Sequence, residues 1–178
     1  MFRALLASTA LAVMAFPAAA GPEAEALIAG AAKQITDPQT GRDAFRDSVD
    51  VPTVARFTLG KHARRVTETE RTRFAEAFEN FLLETFDEHR TKFVDAEVEV
   101  IGSKDRSPTD SIVETRISPK GEEPFTVRWR VIQRDGEWRV VDVEVLGLWL
   151  AIEQRAQIAA ILDRPRATID DAISALQS

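Results

Sequence analysis

The chain is 178 residues long, has no cysteine and carries a net charge of −6. That length suits one domain, and 44% hydrophobic residues with three tryptophans can supply its core. Disulfides and thiolate metal sites are excluded for want of a thiol, and a nucleic-acid partner is not expected where no basic excess exists to neutralise phosphates.

Arg3, the uncharged run 4–16 and the small residues Ala18, Ala19 and Ala20 read as an export signal over residues 1–20, with cleavage before Gly21. The run is too short to span a bilayer, which takes about 20 apolar residues. Residues 21–178 are then expected to form a single exported domain, which uses no disulfide although an oxidising compartment would permit them.

Residues 23–36 form a helix that Asp37-Pro38 ends, and 43–49 a short second one. Asp50 caps a third, which accepts Pro52 in its first turn and stops at Gly60. Thr67-Glu68-Thr69-Glu70 is a capping box before the longest helix, which ends near 89–92. Phe74, Phe78, Phe81, Leu82 and Phe86 recur on it at spacings of three and four. Four runs then alternate with period two, around Val98 and Val100, Val113 and Ile117, Phe125 to Val131, and Val141 to Val145. Residues 148–162 are helical and apolar around most of their circumference, so the helix should be covered on most sides. Pro165 breaks it, and Thr168 with Asp171 opens a last helix through Leu176. The fold class is α+β: a twisted antiparallel sheet of about four strands packed against helices from both the N-terminal and C-terminal parts.

The turn at Asp135-Gly136 sets the register of the last hairpin. A two-residue loop places Trp129 opposite Asp142 and sends Val141 and Val143 to the other face. A three-residue loop, Arg134-Asp135-Gly136, sets Trp129 against Val141, Val127 against Val143 and Arg128 against Asp142. The second keeps the apolar residues on one face and pairs the charges on the other, so it is the expected register.

Chemistry-bearing patterns are sparse. His62 and His89 stand on separate elements and read as surface or helix-end residues, so no metal or cofactor is expected. Asp142, inside a valine run, could serve as a base in a small cone-shaped enzyme; its pairing with Arg128 favours a structural role. Lys61, His62, Arg64 and Arg65 form a short basic loop, a solvated turn or a contact for a phosphate headgroup. The aromatic stripe can be plain core or the wall of an apolar cavity.

Four segments in order resemble the MlaC family, also called the toluene-tolerance family. Val49-Asp50-Val51-Pro52, Ala55-Arg56 and Leu59-Gly60 are similar to the family's VDLPxIARxxLG. Residues 67–86 are similar to TPEQRxxFxxAFxxLLxxTY, 134–143 to RDGxWKVxDV, and 147–162 to GVSLVxNYRSQFxxIL, with Arg155 and Gln157 kept. The resemblance spans roughly residues 45–162.

It implies a periplasmic lipid-binding protein that works with an ABC-type lipid transporter, with acyl chains held between a twisted antiparallel sheet and helices. The chain is then expected to be a monomeric phospholipid carrier without catalytic residues. Its expected partners are an inner-membrane transporter complex and an outer-membrane lipoprotein complex. The expected apolar slot has Phe78, Phe81, Leu82 and Phe86 as one wall, and Val127, Trp129, Val141 and Val143 as the floor. Trp149, Ile152 and Ile161 make the second wall. The alternatives are the cone-shaped enzyme using Asp142, of the nuclear-transport-factor-like class, and an interaction domain with a solid core.

Overall fold

The computed structural model describes residues 20–177. The export signal expected over residues 1–20 therefore lies outside the described residues, except for Ala20 at the start of the first helix. The elements run α1 (Ala20–Ile35), α2 (Gly41–Ser48), α3 (Val51–Leu59), α4 (Glu68–His89), β1 (Glu97–Ser107), β2 (Asp110–Ser118), β3 (Phe125–Arg134), β4 (Glu137–Val145), β5 (Leu148–Trp149), α5 (Leu150–Leu162) and α6 (Ile169–Leu176). Short 3₁₀ turns follow α3 and α4. Among the described residues no helix is long and apolar enough to cross a membrane.

The helix boundaries follow local chemistry. Asp37 Oδ1 accepts hydrogen bonds from the Gln39 and Thr40 amides at 2.8 and 2.9 Å, which turns the chain after α1. Asp50 accepts from the Thr53 amide at 3.1 Å and caps α3. Gly60, at φ +54° and ψ −125°, ends α3 in a conformation suited to glycine. The Thr67–Glu70 capping box is closed in both directions, and Thr168 with Asp171 does the same for α6.

The sheet has five antiparallel strands in the order β1-β2-β3-β4-β5. Leu148 and Trp149, expected to begin the helix, instead pair with Val145 and Glu144 across a tight turn at Leu146-Gly147. Both turn residues have positive φ, 52° and 83°, the geometry of a two-residue hairpin loop.

The β3–β4 hairpin overturns the expected register. Arg134 pairs with Glu137 across Asp135 (φ 51°) and Gly136 (φ 85°), so the loop has two residues. The apolar face is preserved by another device. Val131 faces Val140 and Arg130 faces Asp142, so Val141 is the extra residue of a β-bulge. Beyond it Trp129 faces Val143 and Val127 faces Val145. Val127, Trp129 and Val143 thus share a face, while Val141 turns to the other one. Asp142 stands opposite Arg130 rather than Arg128, whose guanidinium pairs with Glu144 and lies 5.5 Å over the Trp149 ring.

Each face of the sheet consequently serves a different core. Helix α1 covers one face, where Ala24 and Ile28 pack with Val113, Ile117, Val127, Trp129, Val131 and Val140. Trp129 Nε1 donates to Thr115 Oγ1 at 2.9 Å, and Trp138 Nε1 to Glu23 Oε2 of α1 at 2.9 Å, which satisfies both indoles. On the other side Val54, Leu59, Phe74, Phe78, Ile158 and Ala172 join α3, α4, α5 and α6, and Val141 with Ile132 reach this core from the sheet. A third cluster holds Ile35, Ala44 and Phe86, with Phe45 stacked on Phe86 at 4.8 Å.

Helix α5 is not covered on most sides as its composition suggests. Only Ala151 and Ile158 are buried, while Leu150 and Ile152 are 43% and 54% exposed. The helix packs on α3, α6 and β4, and the sheet ends at the two-residue β5 before it can shield the opposite flank.

Asp142 joins the sheet to α5. The N-cap residue of α5 is Trp149, whose side chain makes no capping hydrogen bond. Asp142 Oδ1 accepts from the Ala151 amide at 2.8 Å and from the Val143 amide at 2.8 Å, so a strand residue performs the cap. Asp142 is 8% exposed, and burial holds its carboxyl above the usual aspartate value of 3.8. The Ala151 and Val143 amides and Arg130 pull it down, and Glu144 pushes it up.

The sign of the linkage follows. A carboxyl whose folded pKa is raised favours the fold fully below the unfolded value, and that contribution is lost as pH rises through the folded value. Asp142→Asn keeps an acceptor oxygen and removes the buried charge. It is expected to match or exceed the parent in melting temperature at pH 7, an advantage that shrinks toward about pH 4. Asp142→Ala leaves the α5 amide without its acceptor and is expected to cost about 1–2 kcal/mol. Melts of the three proteins across that pH range check both statements. In denaturant titrations at neutral pH, Phe78→Ala, at a site 1% exposed, is expected to lose about 3–5 kcal/mol, and Ile152→Ser to stay within about 0.5 kcal/mol.

Candidate functional site

A cleft of about 900 Å³ opens among α3, the first three turns of α4, the bulged part of the sheet and α5. Its apolar lining is Val51, Val54, Ala55 and Phe57 from α3, Ala75 from α4, and Ile132 and Val141 from the sheet. The bulge is what turns Val141 toward this cleft. Without the extra residue β4 would present only Asp142 and Arg139 on this side of the bend.

Charged side chains line the same cleft: Arg56, Arg71, Arg130, Arg134 and Arg155, with Glu68, Glu76, Glu79 and Asp142. Several are already engaged. Arg71 Nη1 lies 2.8 Å from Glu68, and Arg130 Nη2 lies 3.0 Å from Asp110. Arg134 Nη1 donates to Thr53 Oγ1 at 2.6 Å and stands 3.8 Å from Asp50. Arg155 lies 4.9 Å over the Phe57 ring, a cation–π contact. The buried Arg71 Nε has no hydrogen-bond partner among the described residues. A concavity of this size, apolar at its base and charged at its margin, can take an amphiphile with its tail inward.

The expected slot residues are divided by the fold. Phe78 and Val141 belong to the helical core, with Phe81, Leu82 and Ile161 packed against it. Val127 and Trp129, with Val143 against them, lie beneath α1. The space there, beside Trp129, is about 10 Å³, room for one water at most. Phe86 stacks in the third cluster with Phe45 and Phe93. Trp149 is half-buried under Arg128, and Ile152 points to solvent. Of the expected set, Val141 alone lines the cleft.

The α3 residues and Ala75 were not expected at the site. The signal available in the sequence was the alternation, within 51–57, of valines and alanine with Arg56 and Phe57, which a core-only reading absorbs. The basic loop also differs from expectation. His62 is 8% exposed, with Nε2 2.9 Å from Asp163 Oδ1, and Lys61 Nζ lies 2.8 Å from the same oxygen. Both residues tie the turn after α3 to the end of α5, and Asp163 is held below the usual carboxylate value chiefly by Lys61, then by His62. His89 is exposed, with Nδ1 2.9 Å from the Thr85 carbonyl oxygen.

No match was found among curated proteins. A solved structure with the same fold is the phospholipid-binding protein from Ralstonia solanacearum in complex with a phospholipid. The likeness has a TM-score of 0.76 at 19% identity and covers 86% of this chain and 94% of that one. The sequence model of the MlaC protein family matches residues 27–178, from the second turn of α1 through α6. The motifs that resemble this family fall on α3, α4, the β3–β4 hairpin and α5, the four pieces that enclose the cleft. The chain belongs to the MlaC family.

Proposed function

We propose that this protein is a periplasmic phospholipid carrier that holds acyl chains in the cleft between α3, α4, α5 and the bulged sheet. The observation that carries the reading is the apolar base of that cleft, formed by Val54, Ala55, Phe57, Ala75, Ile132 and Val141, within a chain of the MlaC family. The shared fold with a phospholipid-bound protein supports it. Each buried methylene contributes about 0.8 kcal/mol, so a chain of modest length is retained without any covalent step. The headgroup stays at the charged margin, where its charges keep partners or water. Longer chains extend toward Phe81, Leu82 and Ile161, the half-buried edge of the helical core, by rotamer change.

In this reading the carrier exchanges lipid with an inner-membrane ABC-type transporter complex and an outer-membrane lipoprotein complex, as a monomer. It uses no catalytic residue, and Asp142 serves as a cap for α5.

The test is the lipid content of protein purified gently from the periplasm, measured by mass spectrometry of an organic extract. Ala75 is half-buried on the wall of the cleft, so Ala75→Trp fills space without removing a core contact. The expected result is several-fold less co-purified phospholipid at an unchanged melting temperature. Equal lipid in the folded variant would move the site elsewhere, and a parent protein free of lipid in every mild preparation would end the carrier reading. Intact mass of the exported protein is expected to correspond to a chain starting at Gly21; retention of residues 1–20 would refute the processing.

A further inference from the structure

Of the charges that line the cleft, four form no ion pair, and these four divide by sign between elements. Arg56 comes from α3 and Arg155 from α5, while Glu76 and Glu79 stand one turn apart on α4. None of the four makes an ion pair within 4 Å among the described residues, although they share one concavity. Arg46 of α2 acts on Glu79 only at longer range. The other lining charges are engaged: Arg71 with Glu68, Arg130 with Asp110, Arg134 with Thr53 and Asp50, and Asp142 Oδ1 with two amides.

Arg155 is held in place. Its guanidinium lies 4.9 Å over Phe57, and its Nε is 3.0 Å from the position that a Cβ on Gly60 would take. Gly60, at φ +54°, therefore provides both the turn after α3 and the room for this side chain. The cation–π contact uses no N–H group of the guanidinium as a hydrogen-bond donor to another side chain, so these remain for an acceptor. The unpartnered Nε of Arg71 adds a buried donor facing no acceptor.

Two cations and two anions line one cleft without pairing with each other, so a bound ligand is free to engage both sets. An anionic ligand would satisfy the arginines and be repelled by Glu76 and Glu79. A ligand carrying both charges answers both sets. We infer that the cleft recognises a zwitterionic headgroup, a phosphodiester joined to an ammonium. The phosphate lies on Arg155 and Arg56, and the ammonium lies toward Glu76 and Glu79. This rests on the carrier reading and names its substrate class.

The purified protein is incubated with vesicles of equal parts phosphatidylethanolamine and phosphatidylglycerol, re-isolated, and its bound lipid identified by mass spectrometry. The expected bound ratio favours phosphatidylethanolamine by about threefold to fivefold, the scale of an exposed ion pair. Glu76→Gln with Glu79→Gln, exposed and half-buried on α4, is expected to bring the ratio to that of the vesicles or below, with the melting temperature unchanged. Arg56→Gln with Arg155→Gln is expected to lower loading of both lipids. A parent ratio equal to that of the vesicles, or a ratio unmoved by the glutamine pair, overturns the headgroup assignment while leaving the carrier intact. Uptake of neither lipid overturns the carrier reading itself. Soluble glycerophosphoethanolamine in millimolar excess is expected to leave bound lipid in place, because the acyl chains supply most of the attraction. Release of lipid by that diester would assign the site to a free phosphodiester instead.

Discussion

A buried carboxylate sits where the two halves of this protein meet. Asp142 extends from the sheet and accepts the Ala151 amide at the start of α5. The helix has no cap of its own, because the chain enters it directly from β5 through Trp149. The arrangement costs the desolvation of a charged group, which two amides and a facing arginine offset only in part. The placement of α5 relative to the sheet depends on it, and so does Arg155, one turn further along the same helix. The cleft inherits its geometry from this joint, since Asp142, Val141 and Arg155 all border it.

The motif in and around α3 acquires a physical meaning in this setting. Asp50 caps the helix, Pro52 occupies its first turn where no amide is needed, and Val54 with Leu59 anchor it in the helical core. Arg56 is left at the cleft. Gly60 turns the chain and leaves Arg155 its place. The bond from the Asp50 amide to the Val140 carbonyl, 2.9 Å, fastens the start of α3 to the strand beside the bulge. One short segment thus supplies a cap, an anchor, a wall and a turn.

Much of the fold was legible because it rests on short-range chemistry. The capping boxes at Thr67 and Thr168, the stop at Gly60 and the phenylalanine spacing in α4 each act within a few residues. The hairpin was not legible, for a definite reason. A period-two pattern can be rescued either by lengthening the loop or by inserting a residue in the strand, and the valine run 140–143 is neutral between them. Only the partner strand, with Arg130 opposite Asp142 and Trp129 opposite Val143, decides. The exposure of α5 was hidden likewise, because apolar composition says a helix can be covered and not whether anything is there to cover it. Most of the cleft was not legible because its lining mixes core valines with charged residues rather than forming a purely apolar stripe. Phe78 and Phe81, expected as a wall of the slot, pack in and against the helical core instead, because packing and lining look identical along a helix.

The bulge at Val141 separates two kinds of change that evolution can make at one position. Removing the residue would leave Val140 against Val131 and Asp142 against Arg130, a ladder with unbroken alternation. The sheet and its α1-facing core would register nothing. The helical core would lose the side chain through which β4 reaches it, and the cleft part of its base. A replacement by another aliphatic residue keeps that reach. The length of this hairpin is therefore under a constraint that the strand itself does not impose, set by a neighbour on the far side of the sheet.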